Sequence, residues 1–281
     1  MKFLVGIVGM GTNPHVGCFL DFAKALANAL RALGHEVEYA TAEARRLRPG
    51  RLIMLGANNL SDPGGHIPDG SIVFNSEQLA AVDNPAFFLQ NYLQYRRLTV
   101  WDYSEANLAA LKKLGITRAV HCPVGYVPSM TTIEPETEDI DILFYGSVAG
   151  PRREILDALD QTGLNIVRLF GVYGEDRDAF IARSKLVLNL HYYPNGVFEI
   201  FRVSHLLANR KCVLTEAGGC DRALEDFARL ACAYVPREQI VDTAKMLAAN
   251  EKMRHEQARV GQEAFKKLDF VQGVGEALEQ S

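Results

Sequence analysis

The chain has 281 residues, 48% of them apolar, and a formal net charge of −4. That length holds two domains of about 100–150 residues, each with its own core, and the charge gives no electrostatic footprint for non-specific nucleic-acid binding. The five cysteines are scattered, odd in number and without a C-x-x-C spacing, which reads as reduced thiols of a cytoplasmic protein rather than disulfides or a zinc site. No apolar window approaches the roughly 18–20 residues of a membrane span, which leaves peripheral membrane contact open, and no leader pattern opens the chain.

Strand-like and helix-like segments alternate from end to end, the pattern of parallel sheets flanked by helices. Phe3–Val8 reads as a buried first strand. The loop Gly9-Met10-Gly11-Thr12-Asn13-Pro14-His15 follows. Pro14 breaks G-x-G-x-x-G and no Gly-Lys-Ser/Thr follows, so neither a dinucleotide fingerprint nor a P-loop is present. Gly11 still lets backbone approach a ligand. His15, at the entrance to the next helix, suits a general base or simply caps the loop. Helical spacing of Phe19, Phe22, Ala23, Leu26, Leu30 and Leu33 predicts a helix stopped by Gly34. Further strands are expected at Val37–Ala40, Leu52–Leu55, Ser71–Phe74, Thr99–Trp101 and Ala119–Cys122, with Ser104 capping a helix that ends at Gly115. Glu77 and Asp102 stand near strand ends. Each suits a base, a sugar-hydroxyl acceptor or a carboxylate on a helix dipole.

The stretch Pro128 to Asp139 is polar and strand-poor and holds two prolines, Pro128 and Pro135; residues 129–139 read as a linker between an N-terminal domain, 1–128, and a C-terminal domain, 140–268. The second domain restarts the pattern with strands at Asp141–Tyr145, Asn165–Phe170, Lys185–Leu190, Cys212–Leu214 and Ala231–Val235. Helices are expected at Arg152–Leu159, Asp176–Arg183, after the His191 loop, and twice within Arg237–Leu268. The tail, 269–281, reads as a helix that packs back on the first domain. Two such domains facing a cleft would gather glycines and polar side chains at their strand ends. In the second domain these are Gly146-Ser147, Gly171-Val172-Tyr173-Gly174 and His191-Tyr192. Arg152 and Arg153 follow Pro151 at a helix N-terminus, where a guanidinium fork suits a diphosphate or where a basic pair is simply solvated. Glu199 and Arg202, three apart, form a surface pair or face the cleft. No H-E-x-x-H, D-x-D or clustered His/Cys set points to a metal.

These residues resemble the GT-B fold glycosyltransferases, in particular the family 4-like group (glycosyl transferases group 1). The resemblance runs through Phe144-Tyr145-Gly146-Ser147, the Arg152-Arg153 pair, Gly171-Val172-Tyr173-Gly174, Leu186 to Leu190, Phe198-Glu199, Arg202 and Leu206 to Leu214, and through the opening helix that ends Leu33-Gly34-His35. It implies an α/β architecture of two Rossmann-like domains facing a cleft. It also implies transfer of a sugar from a nucleotide-sugar donor to a hydroxyl acceptor, with no metal and no cofactor beyond the co-substrate; the resemblance leans to retention at the anomeric carbon, and the residues leave retention and inversion both open. Carried over by position, Arg152 or Arg153 takes the diphosphate and Glu199 lies near the donor. Gly11, Ser147, Tyr173, His191, Tyr192, Phe198 and Arg202 complete the expected donor side, and His15, Glu77 and Asp102 are the catalytic candidates. The family's E-x₇-E pattern lacks its second glutamate, and Ser147 stands where an arginine is usual. A nucleotide-sugar epimerase on the same fold and a non-catalytic nucleotide-sugar-binding module are the alternatives. A nucleic-acid acceptor is disfavoured by the acidic balance without being removed by it.

Overall fold

The computed structural model describes residues 1–9, 13–40, 50–59, 67–81 and 95–281. They divide into two compact units, Met1–Val127 with Asp269–Ser281, and Pro128–Leu268.

The first unit is built on six parallel strands: β1 Lys2–Ile7, β2 Glu36–Ala40, β3 Arg51–Leu55, β4 Ile72–Asn75, β5 Thr99–Asp102 and β6 Ala119–His121. Their order is β2-β1-β3-β4-β5-β6. Phe3, Val5, Ile53, Leu55 and Phe74 are buried, because strands covered on both faces carry near-continuous apolar runs. Helix α1, Leu20–Ala32, buries the Phe22, Leu26 and Leu30 face, and Gly34 at φ +83° takes the left-handed stop that the sequence predicts. Helix α2, Glu105–Lys113, starts at Ser104, whose side chain accepts from the Asn107 N–H at 3.2 Å. The C-terminal helix Phe270–Glu279 completes this unit by burying Phe270, Val274 and Ala277. Phe270 and Phe22 place their rings 5.6 Å apart, and Trp101 Nε1 donates to Ser281 Oγ at 2.8 Å.

In the second unit the elements run β7 Ile140–Tyr145, α3 Arg152–Asp160, β8 Ile166–Leu169, α4 Gly174–Ala182, β9 Ser184–Asn189 and α5 Ile200–Ala208. Then follow β10 Val213–Glu216, α6 Arg222–Ala231, β11 Ala233–Val235, α7 Ile240–Ala249 and α8 Glu251–Lys266. The parallel sheet is ordered β11-β10-β9-β7-β8. Read from its other edge, this repeats the first five positions of the first sheet: in each, the first strand lies between the second and the third. Ile142, Phe144, Leu186, Leu188 and Leu214 pack with Leu156 and Leu159 of α3 and Ile240 and Leu247 of α7. The segment read as a linker lies within this unit: the Asn209 side-chain oxygen accepts from the N–H groups of Thr132 and Ile133 at 2.7 and 2.8 Å, and Arg254 pairs with Glu138 at 2.7 Å. Helix α6, capped by Asp221, has no counterpart in the sequence reading. No helix among the described residues is long and apolar enough to cross a membrane.

Candidate functional site

Ligands of open parallel sheets bind beyond the carboxyl ends of the strands, where the strand order reverses. In the second unit this point lies between β7 and β9. Arg152, at the start of α3, ties together the loops that leave these two strands. Its Nε and one terminal nitrogen donate to the Leu190 carbonyl at 3.0 and 2.8 Å, and the other terminal nitrogen donates to the Ser147 carbonyl at 3.2 Å. The first of those terminal nitrogens also meets Glu199 Oε1 at 2.5 Å. Glu199 Oε2 stands 2.7 Å from Arg202, so a single carboxylate is clamped between two guanidinia. Arg202 also donates to Asn189 Oδ1 at 3.2 Å, and the Asn189 amide donates to Thr215 at 2.9 Å. Gly146, at φ +132°, lets backbone lie against both arginines; a Cβ there would stand 3.0 Å from a terminal nitrogen of Arg202 and 3.6 Å from one of Arg152.

The cluster carries more positive than negative charge in a poorly solvated place, which favours an anionic ligand. Burial pulls the Arg152 guanidinium below its usual pKa, with Glu199 opposing, and its fork is turned inward. Arg202, whose side chain is 17% exposed against 4% for Arg152, is the more accessible of the pair. Arg153 is exposed and stands outside the clamp.

A third loop joins through Glu216, the last residue of β10. One of its oxygens accepts from the His191 N–H at 3.1 Å and the other from Arg237 at 3.1 Å. Arg237 also donates to the Pro151 carbonyl, and the Cys220 N–H donates to the Gly196 carbonyl at 3.1 Å. The loops after β7, β9 and β10 are therefore hydrogen-bonded into one rim.

At the corresponding edge of the first unit, Asp102 is fully buried. It accepts from Asn75 Nδ2 at 2.6 Å, Asn107 Nδ2 at 3.2 Å and the Ser104 N–H at 2.9 Å. The same two amides donate to the Glu77 carbonyl at 3.0 and 2.8 Å, while the Glu77 N–H donates to Asn75 Oδ1 at 3.0 Å. Asp102 thus fixes two amides, and they fix the backbone of Glu77. The Glu77 side chain is partly buried, accepts from Asn58 Nδ2 at 2.7 Å, and has its pKa raised by burial.

Of the expected site residues, Ser147, Arg152, His191, Tyr192, Glu199 and Arg202 come together at the second unit's rim, with the Arg152 guanidinium 5.3 Å from the Tyr192 ring centre. Tyr173 precedes α4, at the N-cap position beyond β8. Phe198 is fully buried, so its ring packs into the core instead of facing a ligand. In the first unit, Glu77 and Asp102 share one network. His15 is exposed on a short 3₁₀ turn, its N–H donating to Asn13 Oδ1 at 2.9 Å. Gly11 lies outside the described residues. The sequence reading passes over Asn189, Glu216 and Arg237. For the first two a signal exists: each is a polar residue at the carboxyl end of a strand. Among the described residues, no three His, Cys, Asp or Glu side chains form a group able to hold a metal ion.

The two matched sheets give the chain the fold of the GT-B glycosyltransferases. Solved structures that share it include AviGT4, a glycosyltransferase involved in avilamycin A biosynthesis (16% identity, covering 100% of this chain and 96% of that one, TM-score 0.64). Anabaena Alr3699/HepE in complex with UDP and glucose matches at 13% identity over 99% of this chain and 98% of that one, TM-score 0.62. T4 phage BGT in complex with its UDP-glucose substrate matches at 14% identity over 100% of this chain and 97% of that one, TM-score 0.58. By sequence, uncharacterized protein L140 of Acanthamoeba polyphaga mimivirus is 28% identical over 188 residues, 64% of this chain and 59% of that protein. Protein L137 of the same virus is 28% identical over 145 residues, 48% of this chain and 19% of that protein. The chain thus spans less than two thirds of the curated relatives it matches. No family model matches it.

Proposed function

We propose that the chain is a glycosyltransferase that moves a sugar from a nucleoside-diphosphate sugar to a hydroxyl acceptor. One observation carries this reading: the Arg152–Glu199–Arg202 clamp, with its surplus positive charge, stands under a glycine loop at the switch point of a GT-B sheet. Arg152 holds the loops in place, and Arg202 with backbone N–H groups meets the diphosphate. Charge that develops on a departing diphosphate is stabilised best by donors already in position, since they need no reorganisation as the bond breaks. The likeness to proteins solved with UDP or UDP-glucose supports the same ligand class. In the first unit we assign Glu77 to the acceptor's proton, because burial raises its proton affinity, and Asp102 to holding Glu77 in place.

The test is a thermal-shift panel of UDP, GDP, ADP and their glucose or mannose conjugates. At least one nucleotide is expected to raise Tm, by the mass-action stabilisation of about 2.7 kcal/mol at a hundredfold excess over Kd, and Arg202→Ala to remove most of that shift. A panel without any stabilising nucleotide removes the reading. A shift that survives Arg202→Ala removes only the assignment of that arginine.

A further inference from the structure

His191 is the second residue beyond β9, the central strand of the second sheet. It is 5% exposed, yet neither ring nitrogen has a hydrogen-bond partner among the described residues. The charged groups hydrogen-bonded around its loop are engaged elsewhere. Glu216 holds the His191 N–H and Arg237, Arg237 also holds the Pro151 carbonyl, and Arg152 holds Leu190 and Glu199. Buried polar side chains are as a rule hydrogen-bonded, because an unmet donor or acceptor keeps its whole desolvation penalty. An imidazole in this position that served packing alone would be better replaced by an apolar ring.

The missing partner has a definable chemistry. A neutral imidazole offers one donor and one acceptor. A phosphate oxygen only accepts, so it meets a ring nitrogen only where that nitrogen carries the proton. A hydroxyl both donates and accepts, so it meets either ring nitrogen in either tautomer. The diphosphate is assigned to the neighbouring arginine clamp, which reaches the Leu190 carbonyl, one residue away. On the donor-site reading above, we propose that His191 reads the hydroxyls of the transferred sugar and determines which sugar the protein accepts. Sites built to hydrogen-bond a hydroxyl discriminate strongly against ligands that lack it.

The experiment compares wild type with His191→Phe and His191→Leu in two measurements. Without ligand, both variants are expected to melt at or above the wild-type temperature, since each removes two unmet polar atoms. Calorimetric titration then uses UDP, UDP-glucose, GDP and GDP-mannose. Wild type is expected to hold one sugar conjugate at least tenfold tighter than its parent nucleotide. Both variants should keep the parent's affinity within about twofold and lose the tenfold advantage. A Tm lowered by several degrees in both variants overturns the proposal, because the ring then has partners in the protein. Equal weakening of nucleotide and conjugate overturns it in favour of a phosphate contact. Unaltered conjugate binding, or a wild type that prefers no conjugate over its parent, overturns it as well while leaving a nucleotide site intact. Binding of no nucleotide at all by wild type sinks the donor reading and takes this inference with it.

Discussion

The two sheets share a strand order, yet their carboxyl edges are built from opposite chemistry. In the first unit a buried carboxylate, Asp102, is met by neutral donors from Asn75, Asn107 and the Ser104 backbone. In the second, the carboxylate of Glu199 sits between two guanidinia. Amides orient without cancelling charge, and the other carboxyl of this edge, Glu77, binds a proton more readily because it is buried. The arginine pair overcompensates its carboxylate, so the second edge stays cationic. Topology determines where a site stands on such a sheet; the charge placed at the strand ends determines what it suits.

The largest effect is expected from Asp102→Ala, which takes from each of two buried amides one of its two acceptors and removes the carboxylate that accepts from the Ser104 N–H. A loss of about 4 kcal/mol in urea unfolding is expected, and a loss below about 1 kcal/mol would show that the amides do not depend on this carboxylate. Arg152→Ala should follow at about 3 kcal/mol, because the Leu190 carbonyl loses two donors while Glu199 keeps Arg202. Arg152→Lys should recover less than half of that loss, since an ammonium cannot bridge two loops as a planar fork does. Gly146→Ala is expected to cost about 1–2 kcal/mol through its left-handed backbone. It should also weaken nucleotide binding, because the new methyl displaces the Arg202 guanidinium.

The smallest effect is one of sign. Burial raises the Glu77 pKa in the folded protein. Its contribution to stability is therefore complete below the unfolded carboxylate value and is lost as pH rises through the raised folded value. Glu77→Gln should match wild type at about pH 4 and become the more stable of the two by about pH 7.5. Melting curves at the two pH values decide it: a variant that gains nothing on going to neutral pH would place Glu77 in a well-solvated setting and erase the contrast with the second edge.

Much of the fold was legible. Short runs rich in apolar residues marked the eleven strands to within about two residues, a usual margin for element ends, and Gly34, Ser104 and Gly115 marked helix ends by local chemistry that needs no tertiary context. Helix α6 went unread although Asp221 and the Leu224, Phe227, Ala228 and Ala231 spacing were there to find; it hides between two strand signals. The site was legible only as positions. That Arg152 and Glu199 would meet depends on residues 47 apart in sequence, which adjacent strands bring together and no local spacing encodes. For the same reason Arg152 and Asp102 read as ligand-facing groups, while the fold uses both to hold their neighbours, and Phe198, two residues before α5, read as a contact although its ring is core.

The helix Phe270–Glu279 has a consequence for how this protein is made. It supplies Phe270, Val274 and Ala277 to the interior of a unit whose other residues end at Val127. The ribosome therefore releases every residue of the second unit before the first can finish its core. Domains commonly fold in the order they are synthesised; here the unit that begins first is the last to close. Until residues 269–281 arrive, α1 and Trp101 wait with part of their apolar surface uncovered, so a cleavage that removes these residues would injure the unit built from residues 1–127.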